Sequence, residues 1–430
     1  MDPKIIEISE ATKAYERDLA IWEKNQVFDY GSSFDGLNDF TTLPSLLPSL
    51  ISDIGNFSLC IFILLLTKIY KLINTKLFIL SCLMMLSPFI FNTDSLISWQ
   101  YFPDQSKYLV VAKFLRETAD FNLIKTLVDN FEHQHAKVQL AAFFYAYTPL
   151  ISIETFKSIG FLNRILFVGT FIFFIQKKYL PLYLKILIIF SPSLIIYTSI
   201  SLRDGFILLL MIWSLYFFLK KSYISLIILS VFLYKLKAQN FLICMLAFYI
   251  IAMLDNHYPK LLLKSLKTLM IVGICAILFY AEQILKIADS ARMGLYLEHN
   301  GYYRSKTAII SYENLVFDRN LIIIFLNSIL RFISSPVQEL KSMPFVIFFI
   351  ETMILYIFMF KAFYEGLKIK EIKKITIIWI SMFFISMSMY SLFIFNHGAI
   401  TRYRIVLLFF ILIGYEMHKY FHNNNLIKKV

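Results

Sequence analysis

Apolar runs recur along the chain from about residue 45 onward, separated by short polar links. They are Leu46–Thr67, Leu77–Phe91, Val138–Ile153, Ile159–Ile175, Tyr179–Ile200, Gly205–Leu219, Ile224–Tyr234, Phe241–Leu254, Leu269–Leu285, Leu321–Leu330, Met343–Phe360, Ile375–Phe395 and Ile405–Tyr415. A helix needs roughly 20 apolar residues to cross the hydrocarbon core of a bilayer. The pattern therefore predicts an all-α fold, a polytopic transmembrane helical bundle. Val138–Ile153, broken by Pro149, and Leu321–Leu330 are short for a crossing. If neither spans, the expectation is about 11 spans, rising to about 13 if both do. Two polar stretches, residues 92–137 and 286–341, predict larger loops within a transmembrane domain covering residues 46–417.

The ends of the chain differ from this core. Residues 1–45 hold nine Asp/Glu against four Lys/Arg. Ile8, Ala11, Tyr15, Leu19 and Trp22 recur there at helical spacing, which predicts an amphipathic helix ahead of a linker at Asp29–Thr42. The start lacks the basic stretch and apolar core of a cleavable signal peptide. Residues 418–430 form a basic tail.

Charge sets the expected orientation. The net charge is +13, yet the positives are mostly lysines in short links. Short cytoplasmic loops of membrane proteins carry such an excess. With the link at residues 68–76 in the cytoplasm, Lys177/Lys178, Lys220/Lys221, Lys260/Lys264/Lys267, Lys368–Lys374 and Lys428/Lys429 all fall on that side. The basic balance thus reads as orientation, and no nucleic-acid partner is expected. With 58% hydrophobic residues there is no room for a large soluble domain. Cys60, Cys82, Cys244 and Cys275 all lie in apolar runs and form no disulfide framework or zinc spacing.

On this topology the outer face collects charged residues unusually close to apolar runs. Arg203 and Asp204 sit between two membrane-length runs, where a charged pair is costly unless it meets water, a partner or a substrate. Ser201-Leu-Arg-Asp204 also matches a helix capping box, so Asp204 has a structural reading beside a catalytic one. The turn Tyr234–Gln239 brings Lys237 and Gln239 to the same face. The turn Asn396–Arg404 brings His397, Arg402 and Arg404. Gly398 favours a non-helical turn there, and in extended backbone Arg402 and Arg404 point the same way, towards one phosphate. Asp94 and Asp104, in the first large loop, are candidate general bases for a sugar hydroxyl. Asp129, Glu132, His133 and His135 form the only metal-like cluster. Their spacing also suits a solvated helix face, so no cofactor is expected.

Phe161-Leu-Asn-Arg-Ile-Leu-Phe-Val-Gly-Thr170, then Ser191-Pro-Ser with Ser201-Leu-Arg-Asp204, and then Gly398 with Arg402-Tyr-Arg404 ahead of the last run, resemble bacterial multi-span glycan-assembly proteins. These are the GT-C-type glycosyltransferases that use polyprenyl-phosphate sugars and the O-antigen or capsule polymerases. The resemblance implies an outward-facing site in a bacterial inner membrane. It also implies a lipid-linked sugar donor, arginines at the carrier phosphate, and membrane lipid or other glycan-assembly proteins as partners. Asp94 and Asp104 are ten residues apart, whereas the transferases carry a close acidic pair early in their first outer loop. Two further functions remain open: a lipid-linked glycan transporter or flippase, and a non-catalytic subunit of surface-glycan assembly.

Overall fold

A computed structural model describes residues 46–91, 136–200, 202–254, 321–335, 343–394 and 397–427, with scattered positions in 108–116 and 279–289. The elements are α1 Leu46–Ile69, α2 Thr75–Met84, α3 Ser87–Phe91, α4 Ala136–Tyr147, α5 Phe156–Gln176, α6 Leu182–Phe190 and α7 Pro192–Ser199. They continue as α8 Arg203–Leu219, α9 Tyr223–Leu236, α10 Ala238–Leu254, α11 Leu321–Ser334, α12 Met343–Lys368, α13 Lys373–Phe393 and α14 His397–Ile427. Every element among the described residues is a helix. Within α1, α5, α12 and α13 lie four stretches long and apolar enough to cross a membrane, and the bent pair α6–α7 brings the total to five. This is the architecture of a helical membrane protein, with four or five spans of sufficient length and apolarity among the described residues. The runs Leu77–Phe91, Ile224–Tyr234 and Phe241–Leu254 fold as shorter helices, in α2–α3, α9 and α10, as do the two runs already expected to fall short, in α4 and α11, while Leu269–Leu285 lies outside the described residues. Ile224, Ile227, Phe190 and Ile357 are more than 60% exposed, a placement that suits lipid rather than water.

Contacts fix the direction of each helix. Asp53 near the start of α1 meets Thr155 and Lys157 at the start of α5, while the turn after α1 borders Ile175 and Gln176 at the end of α5. Asn163 Nδ2 donates to the carbonyls of Ile200 and Leu202, and Trp213 Nε1 donates to Thr170 Oγ1, so α5 and α8 are parallel too. Asp204 meets Arg402 and Tyr216 meets Phe421, which aligns α14 with α8. Tyr390 packs on Tyr403 and Thr376 on Tyr415, so α13 runs opposite to α14. One end of the bundle therefore carries Lys68, Lys71, Lys177, Lys178, Lys220, Lys221 and Lys368. The other carries Arg203, Lys237 and Arg402.

At the lysine end, three helices stop in the same way. Lys71, Lys178 and Lys221 adopt left-handed backbone with φ of 55°, 58° and 60°. Their amides donate to the carbonyls of Lys68, Ile175 and Phe218, and the next amides reach Thr67, Phe174 and Phe217. This double bond pattern is a Schellman ending, a position that glycine usually fills. A lysine there disfavours the turn locally but keeps a cation at the helix C-terminus, where the dipole and the membrane surface both favour it.

At the other end and inside the bundle, short helices expose carbonyls that neither water nor a following turn can satisfy. Buried and half-buried side chains supply the donors. Arg164 Nε donates to Met84 O at the end of α2, and its Nη1 to Thr198 Oγ1. Arg404 Nη1 donates to Phe332 O and Ile333 O, each at 2.8 Å, at the end of α11. Arg203 Nη1 donates to Leu236 O at the end of α9. The opposite charge serves the opposite helix end. Pro192 breaks the α6–α7 run into a 58° bend. Buried Glu351 of α12 then accepts from Ser191 Oγ, Ser193 Oγ and the Ser193 amide at the start of α7.

The long helices pack closely at Gly414, where a Cβ would overlap the Trp379 indole across the α13–α14 contact. Trp379 is fully buried and cannot swing out. Gly414→Ala is expected to cost about 1–3 kcal/mol as an overpacked contact, with no change at the arginine end. Unfolding of the purified protein in detergent, followed by intrinsic fluorescence, measures this. An unchanged midpoint would mean that the two helices separate easily.

Candidate functional site

Four helices and one turn converge at the arginine end. The N-terminus of α8 places Arg203 and Asp204 in its first turn. The α9–α10 junction places Lys237 in extended backbone, φ −159°. Asn240 comes from α10, Tyr390 from α13, and Arg402 and Tyr403 from the first turns of α14. Helix ends are used because only there can polar side chains leave an apolar run without burying a charge against lipid.

The geometry is specific. Asp204 is buried and its Oδ2 lies 2.5 Å from Arg402 Nε. The ammonium of Lys237 stands 3.9 Å from the centroid of the Tyr403 ring, and the Arg402 guanidinium 5.5 Å from it. Tyr390 stacks obliquely on Tyr403 at 5.4 Å and donates its hydroxyl to Asn240 Oδ1. Arg203, half-buried, lies within electrostatic reach of Tyr108, Tyr403, Asp204 and Arg402. Tyr145, on α4, donates to Leu202 O and so fixes the chain just ahead of Arg203. Three cations against one carboxylate leave these residues with two surplus positive charges. In a partly desolvated setting such a surplus favours an anion.

Several expectations change with the structure. Arg402 and Arg404 do not form a fork. Both lie within α14, which already begins at His397, so Gly398 makes no extended turn. A helix rotates residues two apart to different faces. Arg402 accordingly pairs with Asp204, while Arg404 is fully buried against α11 and α12, where its Nη2 donates to Thr352 Oγ1. The N-cap is Leu202, which makes no side-chain cap bond, so Asp204 lies in the first turn rather than at the position a capping box requires, and Ser201 lies outside the described residues. Asp204 is instead the ion-pair partner of Arg402. The ion pair holds the Arg402 guanidinium against the N-terminus of α8. Gln239 lies half-buried in the first turn of α10. His397 opens α14, its side chain outside the described residues. Asp94, Asp104 and the Asp129–His135 cluster are likewise outside the described residues.

Glu351, Tyr403, Asn240 and Arg164 were not singled out for roles from the sequence. Glu351 carried a readable signal, as a lone acid inside the apolar run Met343–Phe360. Tyr403 carried none, since nothing in its neighbours shows that Lys237 reaches it. Comparison with protein-family models, curated proteins and solved structures finds no match. The class defined by fold and site is thus a helical membrane protein with a cationic, aromatic cluster at one end of the bundle.

Proposed function

We propose that this protein binds the phosphate or pyrophosphate of a polyprenyl-linked sugar at the arginine end, and transfers or polymerises that sugar at the outer face of a bacterial inner membrane. The observation that carries the reading is the gathering of Arg203, Lys237 and Arg402 about Tyr403, with Asp204, paired to Arg402, as the carboxylate beside them. In sugar transfer from such a carrier the leaving group is a lipid phosphate. Fixed cations stabilise the negative charge that develops on it. Arg203 and Arg402 are suited to the carrier phosphate because guanidinium groups bind its oxygens in a planar, bidentate way. Lys237 adds a point charge, and Asp204 keeps Arg402 in place. The general base would come from Asp94 or Asp104. The lysine end would face the cytoplasm.

Transport of the same lipid-linked sugar is a second reading, favoured by the broken pair α6–α7 with Glu351 at its bend. Discontinuous helices of this kind line binding sites in transporters. Both readings share the phosphate contact.

The test is direct. Protein in nanodiscs is titrated with polyprenyl phosphate and with polyprenol, and bound lipid is read by native mass spectrometry. The phosphate-bearing lipid should bind and polyprenol should not. Arg402→Lys keeps the charge but loses the planar fork, and should weaken binding about tenfold or more. Glycan product in cells carrying Arg402→Lys or Arg203→Lys should fall roughly thirty- to thousandfold at equal protein level if transfer is the activity. Equal binding of polyprenol, or unchanged binding by both variants, would overturn the phosphate site. Intact binding with movement of lipid but no product would favour transport.

A further inference from the structure

The turn joining α1 to α2, residues 70–74, sits against the C-terminus of α5 at the lysine end of the bundle. Between them lies an open recess of about 560 Å³ lined by Lys68, Lys71, Ile73, Asn74, Ile175 and Gln176 among others. Among the described residues that line it, none is acidic. Lys68 is held over the Phe78 ring at 4.9 Å, which fixes its ammonium beside the recess. Lys71 is held by the left-handed Schellman ending of α1, with φ 55°. Ile69, Tyr70 and Leu72 on the same turn are 62%, 73% and 58% exposed. The recess thus pairs two lysines, one held over an aromatic ring, with a strongly apolar skirt.

We propose that this recess binds the headgroup of an anionic phospholipid, with the phosphate between Lys68 and Lys71 and the acyl chains against Ile69 and Leu72. The charge is complementary to a phosphodiester, and the volume exceeds that of a phosphoglycerol headgroup. The exposed apolar skirt is what selects a lipid over a soluble phosphate. A soluble anion would use the lysines alone and leave Ile69 and Leu72 unused. Basic recesses between transmembrane helices on the cytoplasmic side commonly hold anionic headgroups, each lysine contributing roughly a fivefold preference. This site lies at the opposite end from the Arg203–Arg402 cluster and stands or falls independently of it.

Lys71 offers a test that separates lipid binding from folding. If its lysine served only the turn, Lys71→Gly would be an improvement, because glycine is the residue that favours left-handed backbone. The protein is placed in nanodiscs of equimolar phosphatidylglycerol and phosphatidylcholine, and lipids retained after release in the gas phase are counted by native mass spectrometry. The wild type should retain phosphatidylglycerol over phosphatidylcholine by about ten- to thirtyfold. Lys71→Gly should keep or raise the unfolding temperature, yet lose about fivefold of that preference. Lys68→Gln/Lys71→Gly should retain the two lipids about equally. Lys221→Gly, at an equivalent helix ending away from the recess, should leave the preference intact. Glycerol phosphate at millimolar concentration should not displace the retained lipid. The proposal is overturned if the wild type shows no preference, if the double variant keeps it, if Lys221→Gly abolishes it equally, or if glycerol phosphate competes.

Discussion

Arg404→Met is expected to lower stability by about 3–5 kcal/mol, the range for stripping one partner from a buried charge network. The guanidinium serves Phe332 O, Ile333 O and Thr352 Oγ1 at once. Without it Phe332 O at the end of α11 loses its guanidinium donor inside an apolar bundle, Ile333 O is left with the Tyr356 hydroxyl alone, and Glu351 loses the cation it feels through the interior. Methionine fills much of the volume, so the loss is electrostatic rather than a cavity. Arg404→Lys should fall short of wild type by about 1–3 kcal/mol, because one ammonium cannot reach all three acceptors in the same geometry. Adding Glu351→Gln to Arg404→Met should recover part of the loss by removing the orphaned carboxylate. Denaturant unfolding in detergent measures all three variants. Wild-type stability in Arg404→Met would show that the α11 terminus finds other donors.

Asp204→Ala should destabilise the arginine end by a similar margin, about 3–5 kcal/mol, since it leaves Arg402 with its carboxylate gone and two cations nearby. The double variant Asp204→Ala/Arg402→Leu should be less damaged than Asp204→Ala alone. A ligand reverses this loss in a way that a purely structural pair would not. An added lipid phosphate supplies the missing negative charge, so polyprenyl phosphate should raise the unfolding temperature of Asp204→Ala more than that of wild type. Polyprenol, which has no charge, should raise neither. Equal shifts with both lipids would assign Asp204–Arg402 to structure alone.

The helical membrane class and the separation of charge types were legible in the chain. Apolar runs report what must be out of water, and lysine links such as Lys220–Lys221 mark helix ends directly. The location of the candidate site was legible only in part. Arg203, Lys237 and Arg402 could be assigned to one face because each borders an apolar run. Their division of labour could not. Whether two arginines two residues apart act together depends on backbone conformation, and Gly398 signalled a turn where α14 in fact continues. Local preference at a single glycine is a weak guide that the rest of the helix commonly overrides.

Span number was legible only in part, for a related physical reason. A run of apolar residues looks the same whether it crosses the bilayer or stops inside the protein. Stopping is allowed only where donors and acceptors meet the free helix ends, and those come from distant parts of the chain. Arg164 ends α2 across 80 residues of sequence, Arg404 ends α11 across about 70, and Glu351 starts α7 across 158. Sequence by itself therefore determined which segments avoid water and which end of each carries lysine, because both follow from local composition. The tertiary structure alone decided which helices stop short, that Arg164 and Arg404 are buried in ending them, and that Arg203, which also ends α9, lies with Arg402 near Asp204. Those choices rest on pairwise distances that no local pattern encodes.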